Sequence, residues 1–241
     1  MGRFSANATK IPENEQIGEF IPGKGVYLGP WNPEDSNGKL LLPSRTLLVF
    51  VAREDLVDSD GNKIVMTFKR AAEEVGGLKN WHGHDGIDLK YENYRTSLDY
   101  AIKSGSVFGR WFIPPLELLN GMDNYLLHDD KVRTANMYDL KNVGDFKDSF
   151  TTVPHRLVEI SDSGLLMVTT GGPLVNAHSY WACTKAGDAG SENLSEDLQA
   201  IMREMVYSVD FSNGNPGIGH PDHYDLACRP CMVMPVAHFA L

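Results

Sequence analysis

The chain has 241 residues, 42% hydrophobic and 22% charged, which suits a globular domain with a sizeable core and argues against wholesale disorder. Its 32 Asp and Glu against 22 Lys and Arg leave a net charge of −10, and a nucleic-acid partner, which needs a concentrated basic surface, is not expected. The cysteines Cys183, Cys228 and Cys231 supply no disulfide framework, no apolar run is long enough to insert in a membrane, and the N-terminal decapeptide lacks the apolar stretch of a secretory signal.

Residues 1–37 are polar and rich in Pro and Gly, and read as an N-terminal arm with one short strand near Gly25–Leu28, packing on the domain or on a neighbouring subunit. Residues 38–241 then form the domain. The run LLVFVA at 47–52 predicts a buried strand. Asp58 to Asn62 opens like a calcium loop, but the twelfth position is Lys69 rather than Glu, so a plain turn is expected.

Thr67 can cap a helix whose face carries Phe68, Ala71, Ala72, Val75 and Leu78, and a second helix is predicted from Glu92 to Lys103, closed by Gly105. An aromatic strand at 109–113 is broken by Pro114 and Pro115, which can open a short helix through Leu119. After a polar linker at 121–148 come short strand patterns at 150–153, 165–170, 180–184, 205–211 and 226–236, with a helix from Asn193 to about Met205 inserted among them. Two main helices followed by a strand-rich C-terminal half make the expected class α+β.

Residue types that could carry chemistry each have a plainer reading. His82, His84 and Asp85, like His220, Asp222 and His223, lack the paired spacing of a zinc site and read as polar loop residues. Cys228-Arg-Pro-Cys231 is followed by a strand pattern rather than a helix, so Cys228 reads as a core thiol or a partner of Cys183. Glu54-Asp55 and Asp129-Asp130 read as solvated charges, and the usual catalytic signatures are absent. No metal, cofactor or catalytic residue is expected.

The segment Met205–Gly214 is the most informative. Alternation places Tyr207, Val209 and Phe211 inward and Ser208, Asp210 and Ser212 outward, before a run of turn-forming, histidine and tyrosine residues to Tyr224. Such residues supply adaptable hydrogen bonds and rigid aromatic area, as in a paratope.

Four stretches occur in the order Gly109-Arg-Trp-Phe-Ile-Pro-Pro-Leu-Glu-Leu-Leu119, Tyr180-Trp-Ala-Cys-Thr184, Val206-Tyr-Ser-Val-Asp-Phe-Ser-Asn-Gly214 and Leu226-Ala-Cys-Arg-Pro230. This order resembles the C-terminal domain family of the Legionella collagen-like adhesin, which has a C-type lectin-like fold. With Lys79-Asn-Trp-His-Gly83 it is also similar to the variable proteins of diversity-generating retroelements. The resemblance spans about residues 65–232 and implies a non-catalytic recognition protein at a cell or virion surface, binding a protein or glycan ligand through a diversified region at about 179–228. By position it implies Tyr180, Lys185, Asp188, Ser208, Asp210, Asn215, His220, His223 and Tyr224 as ligand-binding, and Trp111, Trp181, Tyr207, Phe211 and Cys228 as frame. The chain departs from the pattern in a longer insertion at about 189–204 and in continuing to Cys231 and an apolar tail. Two other readings stay open: a formylglycine-generating-enzyme-like oxidase using Cys228 and Cys231, and a structural subunit of a phage tail or surface assembly.

Overall fold

A computed structural model describes residues 20–35, 38–57, 64–122, 158–160, 166–168, 179–188, 195–210 and 215–236. In chain order the strands are β1 (Phe20–Ile21), β2 (Gly25–Trp31), β3 (Leu47–Val51), β4 (Val65–Met66), β5 (Trp111–Phe112), β6 (Val158–Ile160), β7 (Leu166–Val168), β8 (Ser179–Lys185), β9 (Val206–Asp210), β10 (Asn215–Gly219), β11 (Leu226–Ala227) and β12 (Cys231–Pro235). The helices are α1 (Phe68–Gly77), α2 (Tyr94–Ser104), α3 (Leu116–Met122) and α4 (Glu196–Glu204). The mixed α and β composition agrees with the expected class.

Two five-stranded sheets carry the fold, one in the order β1-β2-β3-β12-β5 and one in the order β10-β9-β8-β11-β4, beside a β6-β7 ribbon. The strand LLVFV is buried throughout and sits at the centre of the first sheet, flanked by β2 and β12. Val26, Tyr27 and Leu28 of β2 are buried with it, so the short strand expected near Gly25–Leu28 is present, runs on to Trp31 and, with β1, forms part of the core sheet. Pro and Gly content hid its extent, because the sole obvious apolar cluster in that stretch is short; residues 1–19 lie outside the described set.

α1 forms where its pattern places it. The Thr67 hydroxyl accepts the Arg70 amide at 3.3 Å, satisfying an open N-terminal donor, and Phe68, Ala71, Ala72 and Val75 face the core. α2 buries Tyr94, Leu98, Ala101 and Ile102 and ends on Gly105 at φ +77°, a left-handed conformation that favours glycine. α4 starts two residues later than expected: Ser195, not Asn193, is its cap, accepting the Leu198 amide at 3.4 Å. It buries none of its side chains, and Leu198 and Ile201 stay half exposed.

The apolar run at 226–236, expected as one strand, is divided between the sheets. β11 pairs with β8 and β4 in the second sheet, and β12 pairs with β3 and β5 in the first. Between them Cys228, Arg229 and Pro230 cross the core, fully buried. Arg229 is held there by Asp55, whose Oδ1 accepts Nε at 2.6 Å, and by the Ala52 carbonyl at 3.1 Å. Asp55 is therefore 1% exposed and paired, contrary to its reading as a solvated charge. The expected strand at 150–153, the turn at Asp58–Asn62 and most of the 121–148 linker lie outside the described residues.

Candidate binding surface

The β9–β10 hairpin forms one edge of the second sheet, and its register fixes what it shows. Ser208 stands opposite Trp181 of β8 on one side and Gly217 of β10 on the other, while Val209 stands opposite Tyr180 and Pro216. Trp181, Ser208 and Gly217 thus share a face. That face is closed by α1: the Phe68 and Trp181 rings meet edge-on at 5.8 Å, and the Trp181 indole donates to the Met66 carbonyl at 2.7 Å. A Cβ on Gly217 would come within 2.9 Å of the Ser208 hydroxyl, and Ser208 is buried at 7% exposure.

The opposite face is closed as well. Tyr180 is fully buried and its hydroxyl donates to Asp55 Oδ2 at 3.0 Å, beside Arg229. Burial pushes the phenol pKa well up, so it stays a donor. Two expected ligand contacts, Tyr180 and Ser208, are therefore framework. Strict alternation between a wet and a dry face failed because this stretch of sheet is covered on both sides. Of the expected frame, Trp111, Trp181 and Cys228 are buried and Tyr207 is half-buried; Val209, expected to face inward, is buried.

Beyond β10 the chain presents a different surface. Ile218, opposite Tyr207, is 48% exposed, and Tyr224 is 52% exposed. The His220 and His223 rings stack, with centroids 4.2 Å apart and planes at 19°. The His223 amide donates to the His220 carbonyl at 3.2 Å, and the Lys69 amide of α1 donates to the Pro221 carbonyl at 3.3 Å, tying the turn to the helix. Since His220 Nδ1 accepts the Asp222 amide at 3.2 Å, its ring proton lies on Nε2, which faces Glu204 of α4 at 4.0 Å. Gly219 is the seat of this group: a Cβ there would lie 3.1 Å from the Trp181 ring and 3.2 Å from the Tyr224 ring. The missing side chain thus leaves the backbone at Gly219 close to both the buried indole and the exposed tyrosine.

Of the nine expected contact residues, His220, His223 and Tyr224 are brought together here. Lys185 is half-buried in β8, paired with Val206 at a register shift. The side chains of Asp188, Asp210 and Asn215 lie outside the described set, as does Phe211. Ile218 and Glu204 were missed. The only signal for Ile218 was one large apolar residue among Gly and Pro.

Among the described residues the other histidines, His82 and His84, find their partners in neighbouring segments. His82 Nε2 lies 2.9 Å from Glu54 Oε1, and both nitrogens of His84 face backbone carbonyls. Among the described residues no group of three or more His, Cys, Asp or Glu converges on a metal position. Cys183, Cys228 and Cys231 are free and buried, and burial pushes all three thiols well up, leaving little reactive thiolate. No helix among the described residues is long and apolar enough to cross a membrane. No family model, no curated protein and no solved structure matches the chain.

Proposed function

We propose that this chain is a non-catalytic recognition domain on a C-type lectin-like scaffold, and that Ile218, His220, His223 and Tyr224 are the centre of its contact surface for a protein or glycan on a cell surface. The observation that carries this reading is the seating of the exposed Tyr224 ring against Gly219, a glycine that also adjoins the buried Trp181 ring. An exposed aromatic with few rotatable bonds, placed on a backbone that abuts the core, offers contact area at low entropic cost. The stacked histidines of the same turn add hydrogen-bonding character, and Ile218, exposed on the adjoining strand β10, adds apolar character, the mixture that recognition surfaces use.

The resemblance to retroelement variable proteins extends the proposal to a surface whose residues are individually replaceable. The gene's neighbourhood tests it: an adenine-altered near-copy of the codons for residues 179–228 beside a reverse transcriptase is expected. A display library randomised at Ile218, His220, His223 and Tyr224 tests the recognition role itself. Folded members with selectable binding to different targets support it, and a library that yields only unfolded members contradicts it.

A further inference from the structure

The loop from Asn80 to Gly86 is fastened to β5 from several sides. The Trp111 indole donates to the Trp81 carbonyl at 2.8 Å, the Trp111 amide to the Asp85 carbonyl at 2.9 Å, and the Arg110 guanidinium to the Gly86 carbonyl at 2.6 Å. Asn80 and His82 hold φ of +48° and +49°, a left-handed conformation that costs a non-glycine residue energy and gives the loop its sharp bend.

At the end of that bend His84 is used on both sides. Its Nδ1 lies 2.9 Å from the Gly109 carbonyl oxygen and its Nε2 lies 2.5 Å from the Gly23 carbonyl oxygen. Gly23 sits in the turn between β1 and β2, and Gly109 precedes β5, its amide donating to Val233 of β12 at 3.0 Å. A carbonyl oxygen only accepts. A neutral imidazole has one N–H and one lone pair, so either tautomer sets a nitrogen lone pair against one of these carbonyls. The imidazolium alone donates to both.

We propose that His84 is a protonation-dependent clasp: as an imidazolium it fastens the β1–β2 turn to the 80–86 loop, and loss of its proton frees that turn. The cleft of about 340 Å³ between them, walled by Gly23, Lys24, Arg53, His82 and Trp111, opens with it.

The surrounding charges leave the two carbonyls as His84's acceptors. From the turn comes Lys24, whose ammonium lies 5.8 Å from the Phe50 ring centroid; from the end of β3 come Arg53, stacked on Phe20 at 4.1 Å, and Glu54, bonded to His82 at 2.9 Å. On the loop, Asp85 accepts the Asn80 amide at 2.8 Å, and Arg110 engages Gly86. β12 presents the uncharged Val233 carbonyl. Each carboxylate thus serves another donor. The docked turn binds one more proton than the released turn, so docking is favoured by low pH and weakened by rising pH.

Ring-nitrogen NMR of the full chain tests the protonation directly. Wherever the turn is docked, both nitrogens of His84 are expected to carry protons; a single protonated nitrogen with the turn still docked overturns the proposal. Hydrogen exchange of the Lys24 amide, corrected for intrinsic pH dependence and referenced to the Ala52 amide, reads the release. Wild type should lose about tenfold in relative protection between about pH 6 and pH 9, the scale of one charge-assisted hydrogen bond. His84→Gln should show no such dependence and His82→Gln should keep it. The same loss in His84→Gln, or none in wild type, overturns the clasp, and should His84→Gln not fold, the ring spectrum of the wild type decides.

Discussion

Arg229 and Asp55, 174 residues apart in the chain, form a fully buried ion pair with Nε 2.6 Å from Oδ1, and Tyr180 completes it from the second sheet. The pair sits where the chain passes from one sheet to the other, so it ties β3 of the first sheet and β8 of the second to a single guanidinium. Removing one partner leaves the other charged and buried. Asp55→Ala or Arg229→Ala is expected to cost about 3 to 5 kcal/mol, whereas Tyr180→Phe, which deletes one hydrogen bond, costs about 1 to 2 kcal/mol. Denaturant melts of the three variants check this ordering, and an Asp55→Ala variant as stable as wild type would remove the pair from the account.

Two glycines make opposite predictions from their surroundings. A Cβ on Gly86 would fall 1.6 Å from the Val75 carbonyl oxygen, so Gly86→Ala must push the end of α1 away and should cost about 3 kcal/mol. A Cβ on Gly77 meets nothing within 4 Å, and Gly77→Ala at the end of α1 should stabilise by about 0.4 to 1 kcal/mol by restricting the unfolded chain. Thermal unfolding of both variants decides.

Buried, strongly protonated thiols should be silent in the native protein. Labelling with an aromatic disulfide reagent at about pH 8, near the pKa of a free thiol, should modify none of Cys183, Cys228 and Cys231 until the chain unfolds, and then all of them. Rapid native labelling of Cys228 or Cys231 would return weight to thiol chemistry as the function.

Much of the scaffold was legible because it is local. Thr67 with its apolar stripe, Gly105 after α2 and the LLVFV run each declare an element within a few residues. What failed depends on contacts distant in sequence. Ser208 lies in β9, whose polar–apolar alternation suggests one wet face, and Tyr180 lies beside it in β8, but Asp55, Arg229 and α1 cover both faces there. The sheet change at Cys228–Pro230 was hidden inside continuous apolar character, and its marker, a buried arginine, has its partner far upstream. In the proposed contact surface, the surface position of His223 and Tyr224 was legible from composition, because turn-rich segments stay at the surface. Ile218 was not, since its exposure follows from an edge strand that only the pairing of β9 with β10 defines.

The central claim is that recognition residues stand on a core that does not depend on them, and a paired alanine scan of melting temperature and target binding tests it most directly. Ile218→Ala, His223→Ala and Tyr224→Ala should stay within about 0.5 kcal/mol of wild-type stability while weakening binding of a selected target. Trp181→Ala should cost about 3 to 5 kcal/mol, as large buried aromatics do. Tyr224→Ala as destabilised as Trp181→Ala, or target binding unaffected by all three surface changes, would contradict the account.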